Sequence, residues 1–286
     1  MSVQDTTLLE AMLRRDRFIV VAGLTLVIVI AWIWIWAGAG MGMGMDAMDM
    51  TRGSQRQMAA SAGHAMPGMP VMAAMAMTPA SWSPGYAALM FSMWWVMMVA
   101  MMLPSAAPML LLFAGINRKQ KMGNHPYAPT GLFAAGYLAA WGTFSLIAAD
   151  LQWGLEGLGL LSAMMVTTDT LLAGAILVAA GVWQLSPFKT TCLRHCRSPI
   201  GFIAHGWRPG RLGAFRMGLD HGAYCLGCCW FLMGLLFVGG IMNLYWIVGL
   251  TVFILLEKVA PMGLWLGRFA GVVLIGWGTW AIVAAA

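Results

Sequence analysis

The chain has 286 residues, 61% of them hydrophobic and 9% charged, with a mean hydropathy of +0.79, which is far from a soluble domain and fits a polytopic helical membrane protein. Its apolar stretches are continuous rather than alternating, which argues against a β-barrel, and five cysteines are too few for a disulfide framework. The formal charge of +6 does not mark a nucleic-acid binder, because the positive residues are placed as membrane topology would place them, and methionine, at 27, is abnormally abundant.

The pattern predicts an all-α transmembrane bundle of seven spans. The first, at 18–37, follows Arg14, Arg15 and Arg17 and ends in WIWIWAG, an aromatic belt rather than a cleavage site. Residues 1–37 are therefore read as a cytoplasmic tail and a retained anchor helix. Segment 38–84 reads MGMGMDAMDM and then GHAMPGMPVMAAMAM, with no persistent helical or strand period, and is expected to be a flexible outer, periplasmic loop. Met41, Met43, Met45, Met48 and Met50, then Met66, Met69, Met72, Met75 and Met77, recur at M-x-M and M-x-x-M spacing beside His64, Asp46 and Asp49. They read as many weak thioether sites for a soft cation, or as a Met-rich linker.

Residues 85–286 are expected to form a six-helix membrane domain. Its first span, 87–116, carries two methionine stripes: Met90, Met93, Met97 and Met101, then Met98, Met102 and Met109. Thioethers are soft ligands that select Cu(I), although methionine is also a good filler of apolar cores. Met97, Met98, Met101 and Met102 should lie near the bilayer midplane. Pro104 and Pro108 should kink or break this helix and free carbonyls to line a cavity. Spans at 130–150 and 164–185 follow. Asp150 and Asp169 fall near their outer ends with Gln152 close by, as ligands, as a proton path or as interfacial residues.

The next, inner loop holds Cys192-Leu-Arg-His195-Cys196. The i, i+3, i+4 spacing suits one helical turn holding a metal, but it lacks the second half of a zinc finger, so further ligands must come from elsewhere. A reduced, non-ligating pair is the competing reading, since a cytoplasmic disulfide is not expected. The fifth span, 213–239, has Asp220, His221, Cys225, Cys228 and Cys229. His221, Cys225 and Cys228 share a helical face within roughly 60°, with Cys229 beside them and Met217 one turn earlier. An ionisable cluster inside a span is a functional-site hypothesis by default; the alternative is that these cysteines are small buried hydrophobes. Asp220 is expected either to orient His221 or to pair with Arg216. One site with Cys192 and Cys196, or two separate sites, are both open.

Spans at 241–260 and 264–285 complete the bundle. Only Gly239-Gly240 separates the fifth and sixth, which predicts a tight helical hairpin. Glu257-Lys258 at the inner end of the sixth reads as a local ion pair with a snorkelling lysine, with Glu257 in reach of the fifth-span cluster. Fourteen of the sixteen Lys and Arg residues then fall inside, leaving Arg52 and Arg56 outside. That places the N-terminus inside and the C-terminus outside, in a bacterial inner membrane. His125 and His205 are assigned no role. No phosphate-binding loop, nucleophile elbow or haem attachment motif is present.

Three stretches, FSMWWVMMVAMMLPSAAPMLLLFA, WQLSPFKTTCLRHCRSPIGF and GLDHGAYCLGCCWFLMGLLFVGGIMNLYWIVGLTVFILLEKVAP, resemble the predicted metal-binding integral membrane protein family known as domain of unknown function 2182, at times labelled a copper chaperone. The resemblance runs from about Trp82 to the C-terminus and leaves out the Met-rich segment. It implies a multi-pass bacterial membrane protein that holds a metal, and it points to Cys192, Cys196, Cys225, Cys228, Cys229, Met242, Asn243, Glu257 and Lys258.

Three functions remain in view. The first is copper handling, in which outer methionines collect Cu(I) and pass it through the second span to the Cys/His cluster for transport, buffering or delivery. Iron or zinc would be the alternative metals, and the partners would be the lipid bilayer, another membrane subunit or a periplasmic metal-carrier protein. The second is a subunit of a membrane-bound copper- or iron-dependent oxidoreductase or monooxygenase, although His221 alone is a thin imidazole supply. The third is a structural subunit with inert cysteines.

Overall fold

The computed structural model describes residues 3–38, 82–119, 128–162 and 165–285, with side chains from 18 onward except those of Arg118, Lys119, Ala128 and His205. The Met41–Met77 methionines, His64, Asp46, Asp49, Arg52, Arg56, Lys121 and His125 lie outside the described residues, as do the side chains of Arg14, Arg15 and Arg17. Among the described residues the chain is helical: α1 (Val3–Trp36), α2 (Pro84–Lys119), α3 (Ala128–Gly157), α4 (Thr170–Leu185), α5 (Pro187–Arg197), α6 (Pro199–Gly206), α7 (Gly210–Gly234), α8 (Leu236–Gly239), α9 (Leu244–Val259) and α10 (Gly263–Ala285).

Five of these helices are long and apolar enough to cross a membrane, and α4 with α5 makes a sixth if that bent pair counts as one. The predicted span left over, the sixth at 241–260, corresponds to α9, which has only 16 residues. That is about 24 Å of helix against a hydrocarbon core of about 30 Å. One end of α9 follows the turn at Gly240, where φ is 94°, and Asn243 caps it by accepting from Trp246 N. The other end meets α5, whose Lys189 pairs with Glu257 and whose Arg197 donates to the Glu257 carbonyl at 2.7 Å.

Three local expectations are corrected. The span predicted at 164–185 starts as a helix only at Thr170, because Asp169 accepts from Leu172 N and ends the preceding extended stretch. That stretch instead closes a small antiparallel bridge between Leu161 and Thr167. The predicted inner loop is helical: Ser186, held extended by the following proline, bends the chain by 63° from α4 into α5. And α2 is not broken at Pro104 or Pro108. Nearby, the Met102 carbonyl takes bonds from Ser105 Oγ (2.8 Å) and Tyr137 OH (3.2 Å), and Ala100, Met101 and Leu103 are buried.

The predicted hairpin of the fifth and sixth spans is open. α9 packs chiefly on α2 and α10; beside the turn Trp246 Nε1 donates to the Leu235 carbonyl at 2.8 Å, and at the other end Lys258 reaches both Ser105 of α2 and Cys225 of α7. Two other pairs pack most closely, α4 with α10 and α3 with α7. Both use small residues that let backbones approach: a Cβ on Gly181 would stand 2.7 Å from the Gly271 carbonyl oxygen, and one on Gly218 would overlap the Phe133 carbonyl. The core between the pairs is rich in sulfur, with Met90, Met93, Met97, Met98, Met101, Met102 and Met109 of α2 all buried. Large apolar side chains on the outward faces of α1 and α10, among them Phe18, Leu26, Phe269 and Trp280, are exposed.

Candidate metal centre

The 3- and 4-residue spacing along α7 turns Met217, His221, Cys225, Cys228 and Cys229 inward, and all five are buried. The Cys228 and Cys229 thiols donate back to the Cys225 carbonyl at 3.0 and 2.9 Å, the local bond that lets short polar side chains sit inside a helix. Cys225 is the meeting point of four elements. Lys258 Nζ of α9 donates to its Sγ at 3.0 Å, and Tyr137 OH of α3 lies 3.0 Å from the same sulfur. Ser105 of α2 accepts from Lys258 at 3.0 Å. One turn along α7, Cys229 Sγ lies 3.8 Å from Met102 Sδ.

The bend at Ser186 brings the other cysteine pair into this cluster. Cys196 of α5 stands beside the Cys225 and Cys228 thiols. Cys192, one turn earlier, lies against the backbone of Gly227, where an added Cβ would stand 2.9 Å from its Sγ. The two groups therefore form one sulfur cluster. His195 does not join it: its Nδ1 faces the Thr191 carbonyl at 2.9 Å and its ring stacks on Tyr224 at 4.3 Å.

His221 sits among Phe133, Tyr137 and Phe202, with ring centroids 6.1, 5.7 and 5.5 Å away. Its Nδ1 is buried without a hydrogen-bond partner. Asp220 neither orients it nor pairs with Arg216. One residue is about 100° of helix rotation, so Asp220 points outward, half-exposed, onto Arg208 at 3.2 Å.

The remaining predicted carboxylates are spent elsewhere. Glu257 is buried against Lys189, not against the thiols. Asp169 caps α4 and Asp150 is exposed, so neither builds a proton path through the core. Lys258 does not snorkel outward; it is buried and turned onto Cys225. Of the positions the resemblance pointed to, Met242 is buried and Asn243 caps α9. Residue patterns had missed Tyr137 and Ser105. Their one signal was a hydroxyl standing in an apolar span, which identifies no partner. At the far end of the α2 row, buried Gln152 donates to Met90 Sδ (3.4 Å) and to Glu156 (2.8 Å) while accepting from Trp94 (2.8 Å).

Among the described residues no three His, Cys, Asp or Glu side chains converge as a ready-made metal cage. The hydrogen bonds explain this: Cys225 is held by Lys258 and Tyr137, and Cys228 and Cys229 turn toward a carbonyl. What the core does offer is thiols, the Met102 thioether and one orphaned imidazole nitrogen. That donor set suits a soft ion of low coordination number and suits Mg or Ca poorly. A family model described as PpoB2, copper chaperone, matches residues 91–281, more than half of the chain. The chain belongs to the PpoB2 copper chaperone family. Its function is accordingly copper-related, and its partners include a copper-dependent one. The family match spans every helix that contributes to the sulfur cluster and leaves out α1 and the Met-rich segment. Neither a search of curated proteins nor one of solved structures finds a match.

Proposed function

We propose that this protein handles Cu(I) as cargo within a bacterial inner membrane, holding it at the Cys196–Cys225–Cys228–Cys229 cluster and exchanging it along the methionines of α2. One observation carries the reading. Cys229 meets Met102, and Met102 heads an unbroken buried series through Met101, Met98, Met97 and Met93 to Met90. The twelve helical steps from Met90 to Met102 rise about 18 Å, more than half the hydrocarbon core. Soft donors at successive helical turns let a soft ion move by exchange of one sulfur for the next while harder ions find nothing to hold them.

The other residues act on the cargo through charge and shape. Lys258 provides the positive charge beside Cys225 when the cargo is away. Bound Cu(I) supplies that charge instead, and Ser105 retains the ammonium nearby. His221 adds its free nitrogen from one turn away on α7. The Met-rich segment would gather the ion first, with the N-terminus inside as the charge distribution argues. The oxidoreductase reading has no comparable support, since the carboxylates it needs are capping, paired or exposed.

The test is elemental mass spectrometry on protein purified in detergent under reducing conditions, beside a His221→Ala/Cys225→Ser/Cys228→Ser variant. Copper present in the native protein and lost in the variant is the expected result. Zinc or iron in its place would sink the copper reading, and equal copper in both would remove the cluster from it.

A further inference from the structure

On the face where α5, α6 and α7 meet, a cleft of about 900 Å³ opens. It is within the size range of small-molecule sites. Cys192, Arg194, His195, Arg208 and Tyr224 line it. Its chemistry differs from that of the core. Arg194 stands at the wall, and Asp220, the carboxylate lining the cleft, is already held by Arg208 at 3.2 Å. An entering molecule therefore meets positive charge and hydrogen-bond donors. Cys192 belongs to both places. Its side chain lines the cleft, and its sulfur lies against Gly227, next in sequence to Cys228. Cys196, one turn further along α5, stands beside Cys225 and Cys228.

We propose that this cleft is an exchange port for copper carried by a low-molecular-mass anionic thiol, with Cys192 as the thiol that exchanges the ion and Arg194 as the residue that holds the carrier's carboxylate. The inference rests on the copper-handling reading and names the second end of its path. The Cys192 sulfur forms a bond to Cu(I) as the carrier's sulfur–copper bond breaks. The Cys192 proton goes to the departing thiolate, and copper stays at the +1 state throughout. The ion then passes from Cys192 to Cys228 and Cys196 by the same exchange. A carboxylate on the carrier explains why arginine lines the opening: its planar fork matches a carboxylate better than a point charge does. The carrier is a small molecule because the site is a concave cleft, not a flat face.

The experiment uses the full-length protein in detergent without oxygen, loaded from two donors: Cu(I) complexed by glutathione, and Cu(I) complexed by neutral acetonitrile. Native protein, Arg194→Gln, Arg194→Lys and Cys192→Ser are compared for loading rate and final copper content. Arg194→Gln should load from the glutathione complex roughly fivefold more slowly, the scale of one exposed charge contact, and at the native rate from acetonitrile, with Arg194→Lys between. Cys192→Ser should slow loading from glutathione and keep the final copper content. Equal slowing from both donors, or native rates in Arg194→Gln and Cys192→Ser, would overturn the port while leaving the copper core standing. Failure of native protein to bind copper from either donor would overturn the core reading itself.

Discussion

Cys225 is the residue on which the most contacts converge, and it is the one to change first. Serine keeps its volume and can still accept from Lys258 and face Tyr137. Cys225→Ser should therefore fold, with an unchanged elution profile, yet lose the core-bound part of its copper when the metal is counted by elemental mass spectrometry. Lys258→Ala does the opposite kind of damage. It strips a buried donor from both Cys225 and Ser105, and should cost about 1–3 kcal/mol in thermal or denaturant unfolding in detergent. Lys189→Met leaves Glu257 buried and without its ammonium partner, a change worth about 3–5 kcal/mol when a buried pair loses one member. The Lys189→Met/Glu257→Leu double variant should recover most of that loss in the same unfolding measurement, because no uncompensated charge remains. None of these three pairings shows in residue spacing, since each joins helices far apart in the chain.

At the scale of elements, the site depends on two features that hold helices at fixed separations. One is the pair of glycine-lined contacts. Gly181→Val would push a side chain into the Gly271 carbonyl, 2.7 Å from even its Cβ. It should lower stability by about 1–3 kcal/mol, read as an earlier unfolding midpoint, while copper content per folded chain stays native because α4 and α10 contribute no donor. The other is the 63° bend at Ser186, which carries Cys196 onto α7. The bend was partly written in the residues, as an extended position before Pro187, yet the segment was expected to be a loop. Its helical character is amphipathic rather than apolar, and a membrane-span reading looks only for the apolar kind. The unbroken course of α2 through two prolines is the converse case. Proline chemistry argued for a break; each proline removes only one backbone donor, and the helix runs on through both inside a densely packed core.

Across the whole molecule, the proposed path has two separable parts, the sulfur-bearing core and the Met-rich segment. Deleting residues 41–77, outside the described residues, should lower the number of coppers bound per chain without abolishing the core-bound copper. Combining the deletion with Cys225→Ser should bring copper to background, as measured by elemental mass spectrometry. The short α9 fits the same scheme. It ends where α5 bends beneath it, and Glu257 and Lys258, adjacent in sequence, are sent to opposite tasks: one to Lys189, the other to Cys225.

Residue types alone determined that this chain is an all-helical bundle of membrane-crossing length, that sulfur dominates its polar chemistry, and that His221, Cys225, Cys228 and Cys229 share one helix face. Those are local properties: hydropathy over a window, donor softness, and the 3.6-residue turn. Tertiary structure alone decided that Cys196 joins that face while His195 and Asp220 leave it, that Lys258 turns inward, and that Tyr137, Ser105 and Met102 complete the surroundings of the thiols. These depend on the angle at Ser186 and on which helices stand side by side. Crossing angles and neighbours are set by the packing of side chains from distant segments, and no periodicity within a single segment records them.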